Sequence, residues 1–227
     1  MKIIRANCRI QFTQQDIDFI LTTLSDGSQS SQLAIEKLLL DEATRDLILD
    51  QEELRSTLAD SIQPTHISQR LFFYLHVRHE FIEAGISDPA VADYVAEVLA
   101  NFSETENWRP ISGCEDSQSI YLFEIIAKMP VADEFERFVL NAHQGNYVLT
   151  LLGLFKEHVE QRRNRKAAPS PSYYEGMAAQ SFLNARDHRM AQKLDLEDVF
   201  DALGTGIKDT RRALNQMTET TLFVGNE

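Results

Sequence analysis

Leu71-Phe72-Phe73-Tyr74-Leu75-His76-Val77-Arg78-His79-Glu80-Phe81-Ile82-Glu83-Ala84-Gly85-Ile86-Ser87-Asp88-Pro89 is the stretch on which the fold class turns. Leu71, Tyr74, Leu75, Val77, Phe81 and Ile82 recur at a helical rather than an alternating period, which predicts a strongly apolar helix from about His66 to Ala84. Gly85 stands where a helix ends in a left-handed C′ residue. Asp88 is a preferred N-cap and Pro89 fits the first helical position, so a second helix should open there and run to about Phe102.

The same punctuation continues in both directions. A helix is predicted from about Thr13 to Leu24, closed by Ser25-Asp26-Gly27-Ser28. Three short acidic helices follow before Pro64, with Asp50 and Glu53 placed as a capping pair. Beyond Phe102, residues 103–117 lack periodicity and contain Trp108, which predicts a long loop that the tryptophan pins to the core. Helices are expected at about Ser119–Met129 and Ala132–His143, the latter stopping at Gly145-Asn146. From Tyr147 to Phe155 the chain is apolar on every side, the pattern of a helix buried all round. Further helices are predicted at about Tyr173–Ala191, Leu196–Leu203 and Ile207–Thr218.

These readings give an all-α fold, a compact bundle of about nine or ten helices in a single helical domain. Residues 1–65 form its acidic short-helix part, 66–166 its core helices, and 167–227 helices packed on that core. Only Ile3–Phe12, with Ala6, Cys8, Ile10 and Phe12 on one parity, and Thr221–Val224 alternate like strands. They either pair with each other or run as extended tails, and tails are the expectation.

Composition excludes several function classes. The 227 residues are 43% hydrophobic and 25% charged, as in packed domains rather than disordered chains. The formal net charge of -13 repels a phosphate backbone, so nucleic acid is a poor partner. Basic and acidic residues number 6 and 11 over 1–66, 5 and 13 over 67–150, and 11 and 11 over 151–227. The one dense basic run, Arg162-Arg163-Asn164-Arg165-Lys166, complements a helix C-terminus. Cys8 and Cys114 form no metal or disulfide spacing, and no secretory or membrane-spanning segment is evident, which points to a cytoplasmic protein without membrane insertion.

One constellation suggests chemistry. His76, His79, Glu80 and Glu83 fall in a stripe about 100° wide on the predicted helix, and two imidazoles with two carboxylates suit a divalent transition metal such as zinc or iron. The competing reading is an ordinary polar face turned to solvent, because the apolar arc lies opposite. His79-Glu80-Phe81-Ile82-Glu83 lacks the second histidine of a zinc-protease helix, and no Glu-x-x-His element is present. His143 and Tyr147, near Gly145-Asn146, and His158 read as capping or packing residues. Gly204-Thr205-Gly206 reads as a helix–helix turn rather than a phosphate loop. No motif identifies a catalytic residue. A non-catalytic helical binding or regulatory protein, with a protein or small-ligand partner or a second copy of itself, is the leading expectation; a metal- or cofactor-dependent protein centred on the stripe is the alternative.

Overall fold

A computed structural model describes residues 3–59, 67–103, 117–166 and 169–222. The described residues form an all-α fold with thirteen helices and no strand. In chain order these are α1 (Gln14–Leu24), α2 (Gln29–Leu40), α3 (Glu42–Leu49), α4 (Glu52–Ala59), α5 (Gln69–Glu83), α6 (Pro89–Ser103) and α7 (Ser117–Lys128). They continue with α8 (Glu134–Leu154), α9 (Lys156–Lys166), α10 (Pro171–Arg186), α11 (Arg189–Lys193), α12 (Glu197–Thr205) and α13 (Ile207–Met217). Trp108 and its loop, His66 and Cys114 lie outside the described residues.

The punctuation works as the sequence implies. Gly85 adopts a φ of 79°, its N–H donates to the Ile82 carbonyl at 3.0 Å, and the Ile86 N–H reaches back to the Phe81 carbonyl at 2.7 Å. That double closure satisfies carbonyls that the end of α5 would otherwise leave open. The Asp88 carboxylate accepts the Ala90 N–H at 2.8 Å and Pro89 begins α6.

Four expectations are corrected. Gly145-Asn146 does not end a helix: α8 runs unbroken through it. A Cβ on Gly145 would stand 2.9 to 3.0 Å from the Phe182 ring, so this glycine lets α10 approach α8 and does not break the chain. The helix instead ends at Phe155, where Asn215 Nδ2 donates to the Leu152 and Gly153 carbonyls at 2.8 Å each. This break, and another at Asp187-His188, where His188 Nδ1 caps α11 by accepting the Met190 N–H, raise the helix count above the expected nine or ten.

Among the described residues the terminal segments form no strand, and Phe223 and Val224 lie outside them. Arg9–Gln11 is a 3-10 turn that breaks the alternation, leaving Ile4 and Cys8 buried and Ile10 exposed. Thr218–Leu222 is a helical π turn continuing from α13. Asp50 caps no helix with Glu53; its carboxylate instead receives Arg78 Nε and Nη2 at 2.8 Å each.

α8 is the hub. It packs against α6, α7, α9, α10 and α13, while α5 packs on α6 and α13. Leu149, Leu151 and Leu152 are buried as expected of its apolar stretch, and Leu154 and Phe155 are half-buried at its end. The main buried cluster extends beyond 66–160, taking in Phe182, Phe200 and Leu214 from the C-terminal helices and Ile20, Leu49 and Leu54 from the N-terminal ones. No helix among the described residues is long and apolar enough to cross a membrane.

Candidate functional site

The stripe on α5 divides among three surroundings. His76 is 2% exposed, with its ring 4.6 Å from that of Phe72 and Nδ1 3.4 Å from Thr221 Oγ1 in the C-terminal turn. Its Nε2 is buried without a hydrogen-bond partner, and burial pushes the imidazole pKa down to about 4, so the ring is neutral near pH 7. His79 turns to α4, with Nδ1 3.4 Å from Glu52 Oε2. Glu80 lies 3.5 Å from Thr220 Oγ1, and burial raises its pKa. Glu83 is exposed. Among the described residues, no three His, Cys, Asp or Glu side chains are grouped to hold a metal ion. His76 is enclosed by the C-terminal turn, whereas His79 and Glu80 are half-buried and Glu83 is exposed.

Arg78 belongs to a charge network, largely buried, that sequence reasoning missed. Besides Asp50 it donates through Nη1 to the Ser87 carbonyl at 2.7 Å. Arg9 pairs with Asp46, and its backbone N–H donates to Asp93 Oδ1 at 2.7 Å. Arg70 makes a two-pronged contact with Glu97 at 2.7 and 3.0 Å. These pairs join the N-terminal segment, α3, α5 and α6 into one frame. Their donors and acceptors are engaged with one another, and the cavity bordering Asp50, Arg78 and His79 is only ≈ 30 Å³, room for a water and not a substrate. Cys8 is a free buried thiol whose pKa is driven up by burial and then by Asp93 and Glu97, the opposite of what a nucleophile needs.

The remaining flagged residues pack. His143 lies 5.8 Å from the Phe102 ring and Tyr147 6.2 Å, with burial pushing the His143 pKa down to about 4. Gly204 and Thr205 close α12, and Gly206 alone joins it to α13 where a helix–helix turn was expected. His158 borders a cavity of ≈ 390 Å³ at the α8–α9 break, where Lys156 pairs with Glu219 at 3.2 Å.

A more apolar concavity lies elsewhere. Pro130 follows the end of α7, and the turn to α8 is fixed by the Val131 and Ala132 N–H groups donating to the Lys128 carbonyl at 3.2 and 3.0 Å. Asp133 and Glu136 then cap α8 reciprocally, and Arg137 Nε donates to the Ala132 carbonyl at 3.0 Å. The turn is therefore built and not slack. It frames a groove of ≈ 440 Å³ lined by Val131, Ala132, Phe135, Val139 and Leu140, with Lys128 and Glu136 on the same wall. Beneath it lies a small cluster of Ile125, Ala132 and Leu140, separate from the main core, with Met129 packed against it. Val131 is 86% exposed, Phe123 70% and Phe135 47%.

Sequence reasoning did not single out this groove. Its one visible trace is that α7 carries apolar residues on more than one side: Leu122 and Ile125 inward, Phe123 and Ile126 outward. In comparisons with known proteins, no family model, no curated protein and no solved structure matches this chain.

Proposed function

We propose that this chain is a non-catalytic helical binding protein whose docking surface is the α7–α8 groove. The observation that carries the proposal is the groove itself: ≈ 440 Å³ of mainly apolar concavity with Phe135 and Val131 standing open to solvent beside it. Large apolar side chains held exposed on a hydrogen-bonded turn mark an interaction site, whereas isolated surface leucines do not. An open groove between two helices suits the apolar face of a further helix, which inserts side chains at i, i+3 or i+4, and i+7. A small-molecule pocket would bury most of its ligand, and this groove is too open for that.

The polar interior supports the same reading. Arg9, Asp46, Asp50, Arg78 and Asp93 neutralise one another and position helices, and the cavity that Asp50 and Arg78 border is only ≈ 30 Å³. The acidic balance of the chain disfavours nucleic-acid partners. A cytoplasmic, reducing setting fits the buried free thiol of Cys8.

The test is selection of binders from a displayed library of amphipathic helical peptides on the immobilised full chain. Enriched peptides should carry bulky apolar residues at helical spacing and lose binding to Val131→Glu. Peptides that bind the variant as well as they bind the unmodified chain would refute the assignment.

A further inference from the structure

We infer that the C-terminal π turn, Thr218–Leu222, is an acid-released strap: a proton on His76 lifts the turn from α5 and opens one wall of the ≈ 390 Å³ cavity at the α8–α9 break. The inference stands independently of the docking groove.

The strap is recognisable by what holds it. The helices of the body meet through buried aliphatic and aromatic side chains, whereas among the described residues the turn meets α5 through hydroxyls. Thr221 Oγ1 lies 3.4 Å from His76 Nδ1 and Thr220 Oγ1 3.5 Å from Glu80 Oε1, both near the outer limit of a hydrogen bond. The Thr220 hydroxyl also reaches the Gln216 and Met217 carbonyls, at 3.0 and 3.3 Å. On its other side the turn is held by Thr218 Oγ1, 3.2 Å from the Gly153 carbonyl, and by the exposed Lys156–Glu219 pair. Contacts of this kind contribute little each, so the turn belongs to the part of the fold that opens at low cost. Thr218 and Glu219 line the cavity, and lifting the turn removes that wall.

What lies beneath supplies the trigger. His76 is 2% exposed, and its Nε2 has no hydrogen-bond partner among the described residues. A neutral imidazole carries one N–H, whereas an imidazolium carries two and needs an acceptor for each. The Phe72 ring, 4.6 Å away, offers none. Keeping an unpaired charge there costs more than lifting a turn held by hydroxyls.

The surrounding charges do not compensate. Burial, then Arg55 of α4 and His79 of α5, push the His76 pKa down to about 4; Glu52 opposes them but is already paired with Arg55. On α6, Asp93 and Glu97 are taken up by Arg9 and Arg70, and on α13 Arg211 and Arg212 pair with Glu175 and Asp209. Glu80 acts in the opposite sense, because burial raises its pKa and its proton is held better under the closed turn. His76 is the more enclosed of the two and sets the direction. Once uncovered, its ring returns to the ordinary histidine value, so acid favours the open turn.

The experiment is hydrogen exchange followed by mass spectrometry on the full chain at about pH 7.5 and about pH 5, with rates corrected for the intrinsic pH dependence of amide exchange. Protection over Thr218–Leu222 should fall by about tenfold or more, while Val148–Leu152 in α8 keeps its protection. His76→Leu and His76→Gln should each abolish the fall, and Glu80→Gln should preserve or enlarge it. In the unmodified chain the His76 ring resonance should titrate with the same midpoint as the loss of protection, which decides the matter where a His76 variant does not fold. Unchanged protection at the lower pH overturns the inference, and so does a fall shared by Val148–Leu152, which is general loosening. A fall that persists in both His76 variants, or that Glu80→Gln abolishes, overturns it as well.

Discussion

The two halves of α8 make opposite use of apolar residues. From Gln144 to Gly153 every residue is buried, and polar contacts tie the stretch to its neighbours: Tyr94 donates to Asn146 Oδ1 at 3.0 Å, Ser181 to Gln144 Oε1 at 3.1 Å, and Asn215 closes the end. From Glu134 to Val139 only Phe138 is buried, although Phe135 and Val139 are equally apolar. The difference lies in what surrounds each half. Side chains from α6, α10 and α13 meet the first, whereas in the second Phe138 alone packs into the main core, beside His188 and Phe200, while Phe135 and Val139 face the groove. Burial follows from neighbours and not from the helix's own hydrophobicity. Where the chain supplies no neighbour, as at Phe135 and Val131, the apolar side chains stay exposed, which is the ground of the proposed docking surface.

The contrast is broken most severely in the buried half. Leu152→Ala should cost about 2–5 kcal/mol in denaturant unfolding, since a closely packed site does not collapse around the missing atoms. A loss below about 1 kcal/mol would mean that this half is not the centre of the fold. Gly145→Ala comes next, at about 1–3 kcal/mol, because its methyl group must displace the Phe182 ring. A companion Phe182→Leu should recover part of that cost, and no recovery would show that the clash is not with Phe182.

Much of this was legible in the sequence, for a physical reason. Gly85, Asp88 and Pro89 end and begin helices through their own backbone preferences and through neighbours a few residues away, so the pattern alone locates them. Gly145 could not be read in the same way. What decides its role is Phe182 on another helix, and without that ring a Gly-Asn pair resembles a break. The surroundings of the α5 stripe were not legible either. Its helical spacing was readable, but His76 is enclosed by Thr221 and His79 faces Glu52, contacts set by the tertiary fold. The groove was least legible, because a concavity belongs to two helices and the turn between them and to no single residue's neighbours in sequence.

The pH dependence sharpens the comparison at α5 and at His143 on α8. The folded-state pKa values of His76 and His143 are lowered to about 4, below the ordinary histidine value. The unfolded chain therefore binds protons at a higher pH than the folded one. Their contribution to stability is complete above about pH 6.5 and is lost as pH falls toward about 4. His76→Leu should flatten the urea-midpoint profile across that window, and an unchanged slope would show that the ring is not buried neutral. The smallest effect belongs to His79→Ala, which should shift stability by no more than about 0.5 kcal/mol, because the 3.4 Å contact with Glu52 is partly exposed.

The division of labour within α8 is tested most directly by the dissociation constant of a groove-selected helical peptide for the unmodified chain and for Val131→Glu, with unfolding free energies of both as the control. The account predicts binding weakened by about a hundredfold or more and stability within about 0.5 kcal/mol, because Val131 contributes to docking and not to the core. Binding retained by a variant that has lost about 2 kcal/mol or more of stability would place Val131 in the fold and contradict the assignment of the α7–α8 groove as the docking surface.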